Sequence, residues 1–143
     1  MSFNVLIVDD SNSMRSVIKK IITLSGFKID QYYEAGNGKQ ALEILSKVWV
    51  DIILSDLNMP EMNGLELLAA LKEDGLLKEI PVIIVSTEGS EERRKVVLKM
   101  GAKEFIRKPF SPEYVRKILY EVIGVGDEGT YERAERDNEG GDF

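Results

Sequence analysis

A chain of 143 residues with 43 % hydrophobic and 31 % charged side chains has the size and balance of a single globular domain, and none of its apolar runs is long enough to span a membrane. The absence of cysteine and histidine excludes disulfides, thiolate chemistry and imidazole acid–base catalysis, so any metal must be held by oxygen. The net charge of −6 gathers at one end, because residues 125–143 carry seven acids against two arginines; the remainder, near −1, gives no electrostatic case for binding nucleic acid.

The first run, FNVLIVDD, lacks the basic lead and cleavage site of a secretory signal, which fits a cytoplasmic protein. Its continuous apolar character predicts a strand covered on both faces. Ser11 or Asn12 then caps a helix that carries Met14, Val17, Ile18 and Ile21 on one side and closes at Gly26. IDQYYEA reads as a second strand. Gly36-Asn37-Gly38 opens a second helix with Ala41, Ile44, Leu45 and Val48 along its apolar side.

DIILSD is the third strand, followed by Met59-Pro60 and by a helix marked by Leu65, Leu68 and Leu71 that ends near Gly75. PVIIVS makes a fourth strand, with Pro81 at its entry where no ladder donor is lost. Residues 90–100 form a helix that is polar in its first half. EFIRK is the fifth strand, and Ser111-Pro112 starts a last amphipathic helix through Val115, Ile118, Leu119 and Val122. Five strand–helix alternations predict an α/β fold: a doubly wound parallel sheet flanked by five helices, spanning residues 1–124. The acidic stretch 125–143 is nearly free of aliphatic residues, and its composition predicts a flexible, solvated extension.

Open sheets of this kind bind ligands at the carboxyl ends of their strands. There the sequence puts Asp9-Asp10 after the first strand, Asp56 at the end of the third, Ser86-Thr87 after the fourth and Lys108-Pro109 after the fifth. Three crowded carboxylates repel and raise one another's pKa unless a cation compensates. A partly hydrated Mg2+, with Mn2+ as a substitute, suits an all-oxygen donor set next to a phosphate. With Lys108 and a hydroxyl at hand, the group invites phosphoryl transfer onto a carboxylate.

VLIVDDSNSMR, DIILSDLNMPEMNG, IPVIIVST and EFIRKPF together resemble the motifs of a bacterial response-regulator receiver domain of the single-domain, CheY-like type, over about residues 3–124. No one of these motifs is specific alone; four in order, each at a strand end, are. The resemblance implies strand order 2-1-3-4-5. It implies that Asp56 takes a phosphoryl group from a phosphohistidine on a sensor histidine kinase or phosphotransfer protein. Asp10 and the Asn58 backbone carbonyl would then ligate Mg2+, with Asp9 acting through water. Ser86 corresponds to the switch hydroxyl, Lys108 to the phosphate-pairing lysine before a cis Pro109, and Phe105 to the switch aromatic. The resemblance implies that Asn58 and Glu88 set the rate of self-dephosphorylation; Thr87 stands where the family usually has a small residue, so that it either restricts access to the phosphoryl group or competes with Ser86 as the hydroxyl donor.

Taken singly, each of these residues has a plainer role: a helix-capping acid for Asp9 or Asp10, a surface cation for Lys108, a core ring for Phe105. The resemblance further implies a downstream protein target for the fourth helix, fifth strand and fifth helix, with Arg93, Arg94 and Lys117 tuning affinity, and a monomer or a phosphorylation-dependent dimer. An aspartyl phosphatase of the haloacid-dehalogenase type is the alternative, but it usually places its nucleophile after the first strand in an Asp-x-Asp pattern. A flavin carrier would need an anion-binding loop where the two aspartates stand. A GTPase would need the G-x-x-x-x-G-K-[ST] loop, which is missing.

Overall fold

The computed structural model describes residues 3–87 and 89–124; the segment 125–143 and the expected modulating residue Glu88 lie outside it. Five strands, β1 (Phe3–Val8), β2 (Ile29–Ala35), β3 (Ile52–Asp56), β4 (Val82–Ser86) and β5 (Glu104–Arg107), alternate with five helices. These are α1 (Asn12–Leu24), α2 (Gly38–Leu45), α3 (Gly64–Lys72), α4 (Glu91–Lys99) and α5 (Pro112–Leu119). Every pairing is parallel and the sheet order is β2-β1-β3-β4-β5, as expected.

Alternation along the strands sorts the core into two layers. Leu6, Val8, Ile53, Val82, Ile84 and Phe105 pack with Ala41, Leu67, Leu71 and Val97 of α2, α3 and α4. Val5, Ile7, Ile52, Leu54, Ile83 and Val85 pack with Ile18, Ile22, Val115 and Ile118 of α1 and α5. Because both faces of β1, β3 and β4 are covered, their central stretches, residues 5–8, 52–54 and 82–85, are apolar without a break. Each buried Leu or Ile contributes about 2 kcal/mol.

Each helix begins on a side-chain cap: Ser11, Asn37, Asn63, Ser90 and Ser111 accept a bond from the backbone N–H three residues on. The bond from the Met14 N–H to Ser11 decides between the two expected caps of α1. That helix lies slightly rotated from its expected face: Ile22 is buried, whereas Val17 is 46 % exposed.

Two short elements escape the apolar pattern. A 3-10 turn, Leu77–Glu79, follows α3. Asp74 accepts the N–H groups of Leu76 and Leu77, and these bonds hold its carboxyl below its ordinary value. A π-helical turn, Tyr120–Gly124, prolongs α5 and sets the Tyr120 ring edge-on to Phe27. Among the described residues, no helix is long and apolar enough to cross a membrane.

Sheet order reverses at β1, whose neighbours β2 and β3 lie on opposite sides. The carboxyl ends of β1 and β3 therefore frame the crevice where such sheets hold ligands.

Candidate functional site

Asp9 continues β1: its amide donates to the Ala35 carbonyl at 3.0 Å, so the β1–β2 ladder carries the chain into the crevice. Its side chain is buried, yet both oxygens are served. Oδ1 accepts the Ser11 N–H at 2.9 Å and Oδ2 accepts the Lys108 ammonium at 3.0 Å. Asp10, the next residue, is exposed. Asp56 ends β3 half-buried, with Oδ1 accepting the Leu57 N–H at 2.7 Å. One oxygen from each of the three carboxylates lies within 4.8 Å of the others.

Lys108 is the cation that serves this group. Its Nζ sits 3.0 Å from Asp9 and 3.8 Å from Asp56, and its side chain is only 9 % exposed. It is aimed from the end of β5, where its amide donates to the Ser86 carbonyl at 2.8 Å, and the Lys108–Pro109 bond is cis. One ammonium does not balance three acids. Burial pushes the Asp56 carboxyl above its ordinary value, and the charges of Asp9 and Asp10 add to that; Lys108 and the Leu57 N–H oppose it.

The loop after β3 is fixed from below. The Gly64 amide donates to the Leu57 carbonyl at 2.9 Å, and a Cβ on Gly64 would stand 2.3 Å from the Asp56 carbonyl oxygen. Only glycine permits that approach. Glu61 turns the loop with a positive φ of 66°. Asn58 is exposed within it, while Leu57, Met59 and Met62 pack toward the α2–α4 core.

On the other side of Asp56, which is paired with Val85, β4 ends in buried Ser86, and Thr87 beyond it is exposed. Phe105 points into the core, 5 % exposed. Asp9, Asp10, Asp56, Asn58, Ser86, Thr87 and Lys108 thus fall at or beside the carboxyl edge of the sheet, whereas Phe105 lies inside β5, opposite Ile84.

A second charged cluster was not foreseen. Arg15 donates to the Asp9 carbonyl at 2.5 Å and to Glu34 at 2.9 Å, and it also bonds Asn12. Lys19, one helical turn on, reaches the same Glu34 at 2.8 Å. The signal available was a pair of cations four apart on one helix face. Their partner on β2 is a tertiary neighbour and shows no local pattern.

The acid group suits a small, hard cation. Its donors are all oxygen, it combines a buried, a half-buried and an exposed carboxylate, and the exposed side leaves room for water. Mg2+, which keeps several waters, favours such partial cages over closed protein shells.

A family model described as the response regulator receiver domain matches residues 5–120. A chemotaxis protein CheY homolog of Campylobacter jejuni is 40 % identical over 129 residues, 89 % of this chain and 98 % of that protein. The chemotaxis response regulator CheY4 of Vibrio cholerae superposes with a TM-score of 0.74 at 33 % identity, covering 86 % of this chain and all of that one. The CheX–CheY–BeF3–Mg2+ complex of Borrelia burgdorferi matches with a TM-score of 0.74 at 35 % identity, over 83 % of this chain and 87 % of that one. With the family match running from within β1 to the end of α5 and such relatives aligned over most of their length, the chain belongs to the response regulator receiver domains.

Proposed function

We propose that this protein is a cytoplasmic two-component or phosphorelay switch whose Asp56 accepts a phosphoryl group from a phosphohistidine. In the transfer the histidine N–P bond breaks and a bond forms from an Asp56 carboxylate oxygen to phosphorus, leaving the imidazole to take up a proton. The observation that carries this reading is the half-buried Asp56 carboxylate, crowded by two further acids and faced by one ammonium. Asp10, Asp56 and the Asn58 carbonyl would hold Mg2+ (or Mn2+) directly, and Asp9 through water. When bound, the ion supplies positive charge to the phosphoryl oxygens. The relative from Borrelia burgdorferi, in complex with CheX, BeF3 and Mg2+, supports the assignment.

The remaining roles fall to the chain's own groups. Lys108 pairs with a phosphoryl oxygen as a mobile point charge. Ser86 donates its hydroxyl to another, and its shift is matched by Phe105. Asn58, Thr87 and Glu88 set how fast water removes the group, so the only turnover is self-phosphorylation and slow autodephosphorylation. Output is protein–protein contact through α4, β5 and α5, with Arg93, Arg94 and Lys117 adjusting affinity for a downstream target, as a monomer or a phosphorylation-dependent dimer. The phosphatase alternative loses ground because the nucleophile stands on β3, beside adjacent acids on β1.

The test is exposure to acetyl phosphate with Mg2+. An acid-labile adduct should form on the wild type, and Asp56→Asn should abolish it on intact-mass measurement. Equal labelling of both proteins would move the acceptor elsewhere.

A further inference from the structure

A groove of about 460 Å³ opens between the start of α4, the end of β5 and the start of α5, lined among others by Arg94, Phe105, Arg107, Phe110 and Tyr114. Arg107 is exposed and makes no ion pair among the described residues. Arg94 reaches Glu104 at 3.3 Å and Glu91 only at 3.8 Å, with 38 % of its side chain exposed. Leaving aside Lys108, which serves the acid cluster, residues 91–119 carry eight basic side chains against four acidic ones. Residues 1–90 carry a net charge of −5, so the α4–β5–α5 region is the basic part of an otherwise acidic chain. The segment 125–143, with seven acids against two arginines, carries the complementary charge.

We propose that segment 125–143 docks on this groove within the same molecule, setting its acidic side chains beside Arg94 and Arg107. Chain length permits it. From Gly124 back to the groove at the start of α5 is about 20 Å, thirteen residues at the helical rise. The eight residues from Gly124 to Glu132 can span about 26 Å when extended, which brings Glu132, Glu135, Asp137 and Glu139 within reach.

Composition alone leaves this segment solvated, because it has too little apolar surface to order itself. The groove supplies what the segment lacks: fixed positive charge and aromatic surface for Tyr131. A tether this short gives an effective concentration on the order of millimolar, so a weak attraction suffices for occupancy. An attraction carried by charge fades when the screening length falls, from about 8 Å at physiological salt to about 3 Å at 1 M. The docked segment would cover part of the surface assigned above to the downstream partner, which would have to displace it. That consequence rests on the proposed function; the docking itself does not.

The chain has no cysteine, so Asn138→Cys gives one attachment point for a nitroxide without removing an acid. Paramagnetic relaxation of backbone amides is then read in the full, unphosphorylated chain at low salt. The expected result is enhancement concentrated at residues 89–94 and 105–114, reduced several-fold by Arg107→Glu and by about 1 M salt. Enhancement that is absent, evenly spread or centred on another surface overturns the proposal. So does enhancement of equal size when the nitroxide sits on one copy and the observed amides on another, since the occupant would then be a second molecule. No phosphoryl group is involved, so failure here leaves the acceptor assignment standing, and failure of acetyl phosphate labelling leaves this docking untouched.

Discussion

Two charged clusters flank the β1–α1 turn, built in opposite proportions. At Glu34, two cations serve one carboxylate: Arg15 at 2.9 Å and Lys19 at 2.8 Å. Their hydrogen bonds, that from Lys19 foremost, hold the Glu34 carboxyl below its ordinary value. At the sheet edge, one ammonium reaches two of three clustered carboxylates, Asp9 and Asp56, and burial with like charge pushes Asp56 up. Both clusters touch Asp9, one through its carbonyl and the other through its carboxylate. The first is electrostatically satisfied and stabilises the fold. The second keeps an unmet demand for positive charge, which the proposed binding of a divalent cation and a transient phosphoryl group would meet and use. The sign of the surplus, cationic at Glu34 and anionic at the sheet edge, separates the structural cluster from the one proposed to react.

The sharpest way to break this contrast is to remove the shared ammonium. Lys108→Ala leaves Asp9 buried without its cation, a loss that typically costs about 3 kcal/mol. Urea unfolding in metal-free buffer at neutral pH should show it, and millimolar Mg2+ should recover part. An unchanged midpoint would mean that Lys108 does not balance the acids.

In the wild type, Mg2+ at ten times its Kd should raise stability by about 1.4 kcal/mol through linkage. A melting temperature indifferent to Mg2+ would remove the unmet demand from the comparison.

Asp56→Asn tests the same crowding from the acid side. A carboxyl whose folded pKa lies above its unfolded value contributes stability below the unfolded value and loses that contribution as pH rises through the folded one. Ionised Asp56 therefore burdens the fold at neutral pH. The Asn variant should melt above the wild type in metal-free buffer at pH 7, and the gap should close as pH falls toward about 4. A gap that widened on acidification would reverse the sign assigned to Asp56.

The acid cluster was legible in the sequence for a reason that does not extend to its neighbour. Asp9, Asp10 and Lys108 follow strands and Asp56 ends one, and a parallel sheet collects its strand ends along one edge, so topology brings them together. The buried strands were legible because cover on both faces leaves no polar alternation to confuse them. Glu34 lies on the edge strand β2, where exposed and half-buried positions mix, and its pairing with Arg15 and Lys19 depends on how α1 is rotated against the sheet. That rotation, visible in buried Ile22 and exposed Val17, comes from packing that local periodicity does not encode. The 3-10 turn, braced by the Asp74 carboxylate on the Leu76 and Leu77 N–H groups, and the π-helical turn, which carries the Phe27–Tyr120 ring contact, are likewise absent from the apolar pattern.

The smallest effect belongs to the satisfied cluster. Glu34 is partly solvated, with 30 % of its side chain exposed, so screening limits what its ion pairs contribute. Glu34→Gln should cost about 0.5 kcal/mol at pH 7 by urea unfolding. A carboxyl with a lowered folded pKa contributes stability above its unfolded value, near 4.3, and loses it as pH falls through the folded one. The deficit of the variant should therefore shrink below about pH 4, opposite in direction to Asp56→Asn as a contribution to the fold. Adduct formation on Asp56 should be unaffected, because Arg15 keeps its bond to the Asp9 carbonyl without Glu34. A slowed adduct would instead show that Arg15 transmits the state of β2 to the acid cluster, and the two regions would have to be treated as one electrostatic unit.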